Sequence, residues 1–68
     1  MYQNLQETLV ENGVTPDDLA LALGVSRKTI RNKLAGRFDF SWHEIVRLYA
    51  WLFPGDRDAP TIDWLFTR

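Results

Sequence analysis

The sequence has no cysteine among its 68 residues. That absence excludes a disulfide framework and any zinc site built on thiolates. Its one histidine is His43. His43 falls in the first turn of an expected helix beside Glu44, which already has a capping role, so no metal or catalytic role is assigned to it. Asp56, Asp58 and Asp63 read as a solvated loop pair and a helix-start acid, because they lack a liganding spacing such as that of an EF-hand. There is no Ser/His/Asp or Cys/His constellation and no glycine-rich phosphate loop. So short a chain has no room for a catalytic domain beside a binding domain. The expectation is a protein that is not an enzyme, with no cofactor, no metal and no small-molecule substrate.

Long apolar runs are missing as well. The longest near-apolar stretches, Leu19–Val25 and Tyr49–Phe53, fall far short of the roughly 18 residues that suggest a membrane span. No basic N-terminal region precedes an apolar stretch, so no signal peptide is expected. These absences lead to the expectation of a soluble, cytoplasmic protein. An excess of positive charge is also lacking: eight Lys and Arg against nine Asp and Glu leave a net charge of -1. Taken alone, that number argues against a nucleic-acid binder, because such domains are usually basic.

What is present reads as one globular domain spanning residues 1–68, with 46% apolar and 25% charged residues. No stretch shows sustained period-2 alternation, so the fold class is all-α. Boundary residues mark helices at about 2–12, 16–23, 27–35, 42–53 and 62–66. Tyr2, Leu5 and Leu9 share one face of the first helix, and Gly13 suits its stop. Thr15 caps the second, with Pro16 preorganised at its first position and Asp17 and Asp18 at its positive end. Gly24 ends it. Ser26 caps the third helix and Gly36 stops it. Ser41 and Glu44 form a capping box for the fourth, and Pro54 ends it. Pro54–Pro60 is a loop, and Thr61 caps a last short helix. The expected core is Leu5, Leu9, Leu19, Leu23, Val25, Ile30, Leu34, Phe40, Ile45, Leu48, Leu52 and Leu65. Eight of the nine aromatic residues lie between Phe38 and Phe66. Packing against the core is the first reading of them; a stacking platform for bases is the second.

The informative stretch is residues 19–36, where two short helices flank Gly24-Val25-Ser26. Two helices can cross over so short a turn when a small residue lies at their contact and the turn tolerates left-handed backbone. Ala20 supplies the first condition and Gly24 the second. The pattern is that of a helix-turn-helix. On a wheel of about 100° per residue, Ile30 and Leu34 define the buried side of the third helix. Lys28, Thr29 and Asn32 point the opposite way, with Arg27 and Arg31 on one flank and Lys33 on the other. These are the side chains that major-groove edges and phosphates accept. An ordinary solvated helix would mix charge signs.

At these residues the sequence resembles the lambda-repressor/Cro-like helix-turn-helix family of phage and bacterial regulators. The matching positions are Leu19-Ala20, Leu23-Gly24-Val25-Ser26, Ile30 and Gly36. The run from Gly24 to Gly36, followed by Phe38 to Ile45, is similar to prophage repressor-like proteins, and Ile62-Asp63-Trp64-Leu65 is similar to the family's last helix. The resemblance implies a compact five-helix domain that binds double-stranded DNA, on a pseudo-palindromic site, as a transcriptional regulator. It implies that Arg27–Ala35 is the recognition helix, that Arg27, Lys28 and Asn32 read bases, that Ser26, Thr29, Lys33 and Arg37 contact phosphate, and that Arg31 can do either. It also implies that the last helix contributes to a homodimer; the aromatic enrichment of Trp51, Phe53, Trp64 and Phe66 makes part of that cluster the candidate contact, with core packing absorbing the rest. Three departures stand out. Pro16, Asp17 and Asp18 occupy the start of the second helix, where the family often has a phosphate-binding Gln. Leu21 lies at a position that is usually polar. The Pro54–Pro60 loop is longer than the family's usual link.

The net charge conceals a segregation. Residues 1–18 carry four acids and no base, residues 19–37 five bases and no acid, and residues 38–68 three bases against five acids. A DNA-binding footprint would therefore be confined to the third helix and its following loop. The competing reading is a protein-interaction module on the same scaffold, favoured by net acidity, Asp17, Asp18 and Leu21.

Overall fold

Hydroxyl side chains start four of the helices in the computed structural model, which describes residues 2–68. In chain order the helices are α1 (Gln3–Glu11), α2 (Pro16–Leu23), α3 (Arg27–Leu34), α4 (Trp42–Leu52) and α5 (Ile62–Leu65). No strand occurs among the described residues. Thr15, Ser26, Ser41 and Thr61 are extended, and each side-chain oxygen accepts the backbone N–H three residues on. Such caps contribute about 1 kcal/mol each. Ser41 and Glu44 form the expected box, and Thr15 and Asp18 form a second one that the sequence did not suggest. Asp18 Oδ2 accepts from the Thr15 N–H at 3.0 Å. The expected ends at Asn12, Ala35, Phe53 and Phe66 prove to be cap residues rather than helical ones. The fraying of terminal turns accounts for that difference.

Leu5, Leu9, Leu19, Leu23, Ile30, Leu34, Phe40, Leu48 and Leu65 are buried, joined by Ala20 and Tyr2. Val25, Ile45 and Leu52, expected in the core, are only partly buried and pack against its edge. Val25 lies in the turn after α2 and Leu52 is the last residue of α4, so neither is enclosed on all sides. Tyr2 was expected on the first helix but not in the core. Its ring meets Phe40 edge-on at 5.2 Å and Phe66 at 6.2 Å, and Phe40 meets Phe66 at 5.5 Å. Edge-to-face contacts of this kind add roughly 0.5–1.5 kcal/mol beyond area burial.

The two ends of the fold are tied together through polar contacts too. Asn4 Nδ2 donates to the Trp64 carbonyl at 2.9 Å. Arg68 donates to Asp39 and to the Gly36 carbonyl, and its guanidinium lies over the Tyr2 ring. The Pro54–Pro60 loop is anchored by the Tyr49 hydroxyl, which donates to the Pro60 carbonyl at 2.6 Å. The Cα radius of gyration, 11.0 Å, matches the roughly 10.9 Å of a compact chain of this length. Among the described residues no helix is long and apolar enough to cross a membrane.

Candidate nucleic-acid interface

Three residues, Gly24, Val25 and Ser26, separate α2 from α3. Gly24 has φ +69°, a left-handed conformation that an L side chain adopts only with strain. The reversal lets the Val25 N–H reach the Ala20 carbonyl at 3.1 Å. The chain then leaves along α3, which packs against α2. Ile30 and Leu34 hold the inner side of α3 in the core. Arg27, Lys28 and Arg31 are exposed, while Thr29, Asn32 and Lys33 are half-buried. Ser26, Arg27, Lys28, Arg31, Asn32 and Arg37 line one shallow depression.

The end of α3 places Arg37. Gly36, at φ +82°, allows a Schellman stop. The Gly36 N–H bonds the Lys33 carbonyl at 3.0 Å, and the Arg37 N–H bonds the Asn32 carbonyl at 2.9 Å. That brings the Arg37 side chain back over the helix, where Nη1 donates to Asn32 Oδ1 at 3.2 Å. The Asn32 Nδ2 group has no protein acceptor among the described residues. At the other end, the Ser26 and Thr29 hydroxyls share a hydrogen bond at 2.9 Å.

Two of the cations have acidic partners from other helices. Arg27 Nε lies 2.6 Å from Asp17 Oδ1, with both side chains more than half exposed. Lys33 pairs with Glu44 on α4, and its ammonium also stands 5.8 Å from the Phe40 ring centre. Lys33, expected at phosphate, is thus turned toward α4 with its charge matched. Lys28 and Arg31 have no ion-pair partner among the described residues. The two acids at the start of α2, a source of repulsion toward a polyanion, are both occupied: Asp17 by Arg27 and Asp18 by its own helix cap. Both pairings join residues on different helices, which spacing along one helix does not reveal.

Glu44 joins two structures. Its Oε1 accepts from the Ser41 N–H at 2.8 Å and from the Lys33 ammonium. Burial alone would push its carboxyl up. The hydrogen bonds from Lys33 and the Ser41 backbone, the Lys33 charge and the Ser41 hydroxyl outweigh burial, and the group is held below its ordinary value. A folded value below the unfolded one means that the contribution is complete above the ordinary Glu range, about 4.3, and is lost as pH falls through the lowered value. Glu44→Gln should cost about 1–3 kcal/mol at neutral pH. Urea titrations at neutral and acidic pH check this: the gap between variant and wild type should shrink on acidification.

Of the four expected dimer residues, Phe53 and Phe66 are partly buried and pack against the core. Phe66 belongs to the Tyr2–Phe40 cluster, and Phe53 packs on Tyr49 at 5.4 Å. Trp51 and Trp64 remain 44% and 46% exposed. Trp42 and Val46, one turn apart on α4, are also exposed and were not singled out from the sequence, although their spacing of four was visible. Leu21 is 84% exposed. Among the described residues no group of three or more His, Asp or Glu could hold a metal ion.

The chain matches no protein family, no curated protein and no solved structure.

Proposed function

We propose that the protein is a sequence-specific regulator of transcription that binds double-stranded DNA through a lambda-repressor/Cro-like helix-turn-helix, formed by α2 and α3. One observation carries this reading. The outer face of α3 presents Arg27, Lys28 and Arg31 with Asn32 beside them, and no acid lies on that helix. Arg and Lys match the O6 and N7 acceptors of guanine, and the free amide of Asn32 matches the N7 of adenine. Ser26 and Arg37 line the same depression, Thr29 is hydrogen-bonded to Ser26, and all three suit phosphate oxygens. Lys33 is left out of the contact set because Glu44 holds it. The family resemblance of the sequence supports the same reading, including its repressor-like role in phage and prophage control.

A homodimer would place two α3 helices about 34 Å apart, in successive major-groove turns of a pseudo-palindromic site. Exposed Trp51 and Trp64 are the side chains offered for that contact. The test is an NMR titration with duplex DNA at low salt, followed by selection of bound duplexes from a random pool. Amide shifts across residues 26–37 and a recovered consensus are the expected result; no shift in that segment would sink the proposal.

A second reading, a protein-interaction module that does not read DNA, is favoured by Leu21, an exposed apolar side chain on α2. Under it, added DNA leaves α3 unprotected while a protein partner covers Leu21.

A further inference from the structure

We propose that the face of α1 beside the end of α3 is a self-association surface, on which a second copy of the chain docks in inverted orientation. Val10 stands at its centre, 78% exposed on α1. On one side of Val10 lies an open groove whose apolar lining includes Leu9, Val14 and Leu34, and Arg31 is the one charged residue that lines it. On the other side lies a shallow depression lined by Gln6, Glu7, Val10 and Glu11. Gln6 and Val10 line both, so the two are continuous. Across this face the order is acid, apolar, base. Glu7, Glu11 and Arg31 are exposed, and none has an ion-pair partner among the described residues.

That order selects a second copy as the occupant. A two-fold axis near Val10 sets base, apolar and acid of one copy over acid, apolar and base of the other. Glu7 and Glu11 of each copy then meet the partner's Arg31, so the charge match is made twice, with apolar side chains between. A wholly acidic partner would match Arg31 alone and set like charge against Glu7 and Glu11. Charges at an interface rim fix partner and register more than affinity, so the association is weak and salt-sensitive. This face is distinct from the Trp51 and Trp64 contact proposed above. Arg31 also lines the depression that Ser26, Lys28 and Asn32 share. A copy that pairs with Arg31 therefore competes for it with DNA.

Sedimentation of the full chain without DNA, at low salt and up to about 1 mM, reads the association directly. The wild type should form dimers as concentration rises. Two charge-reversed variants, Arg31→Glu and the double change Glu7→Arg with Glu11→Arg, should each weaken self-association at least about tenfold, because like charges then face each other. An equimolar mixture of the two should regain it, since every acid again faces a base. A folding defect cannot produce that recovery, and far-ultraviolet circular dichroism checks each variant alone. Val10→Asp should abolish pairing, whereas Trp51→Ala with Trp64→Ala should leave this contact intact. A wild type that stays monomeric throughout overturns the proposal. So does a mixture that fails to recover, or association that depends on the two Trp residues and not on Val10. All of these outcomes are read without DNA, so they are distinct from a failure of the DNA reading.

Discussion

Ile30→Ala brings the protein to the edge of unfolding. Ile30 is fully enclosed, with 0% exposure, on the inner side of α3. Truncating such a side chain costs about 2–5 kcal/mol, through lost burial and the cavity left behind. A domain of this size has roughly 3–10 kcal/mol of stability in total, at the usual 0.05–0.15 kcal/mol per residue. One substitution thus removes a large share of what holds the fold. Urea denaturation followed by far-ultraviolet circular dichroism checks it: the midpoint should drop sharply with the slope unchanged. Ile30→Val should cost only about 0.5–1.5 kcal/mol. Equal effects from the two changes would mean that Ile30 does not fill the space between α3 and the core.

The second large effect concerns affinity. Lys28→Ala and Asn32→Ala should each weaken binding to the preferred duplex by about 1–3 kcal/mol, roughly five- to 150-fold, and relax the preference at one base position. Arg37→Ala should instead weaken all duplexes similarly and reduce the salt slope by about one. Lys33→Ala gives the sharpest contrast. A phosphate contact there would lower the salt slope as well. Its pairing with Glu44 predicts an unchanged slope and a less stable protein. Titrations at several salt concentrations, beside urea curves for each variant, distinguish these outcomes. A uniform loss across all four variants would contradict the division into base readers and phosphate contacts.

The features legible in the sequence are those encoded within a few residues. Thr15-Pro16 and Ser41 with Glu44 announce helix starts because a cap reaches only three residues ahead. Gly24 and Gly36 announce stops because few other residues tolerate their backbone. Ile30 and Leu34 reveal the buried side of α3 through spacing alone. What stayed hidden are contacts between side chains far apart in the chain. Nothing near Arg27 foretells Asp17, which lies in the preceding helix, and nothing near Lys33 foretells Glu44. Tyr2, expected within the first helix, proves to be the residue that precedes α1, and its burial depends on Phe40 and Phe66 arriving from elsewhere. Which of the aromatic residues near the end of the chain turn inward was hidden for the same reason. Composition counts Phe53, Phe66, Trp51 and Trp64 together, whereas packing takes the two Phe rings in and leaves the two indoles out.

The sharing of one Glu44 oxygen has a dynamic consequence. The last turn of α3 and the first turn of α4 are fastened at a single atom, which takes the Lys33 ammonium on one side and the Ser41 amide on the other. Rotating that carboxylate away releases both fastenings at once. Local opening at this corner is then a single cooperative event rather than two independent ones. The amide protons guarding the start of α4 become reporters of how often the far end of α3 comes loose.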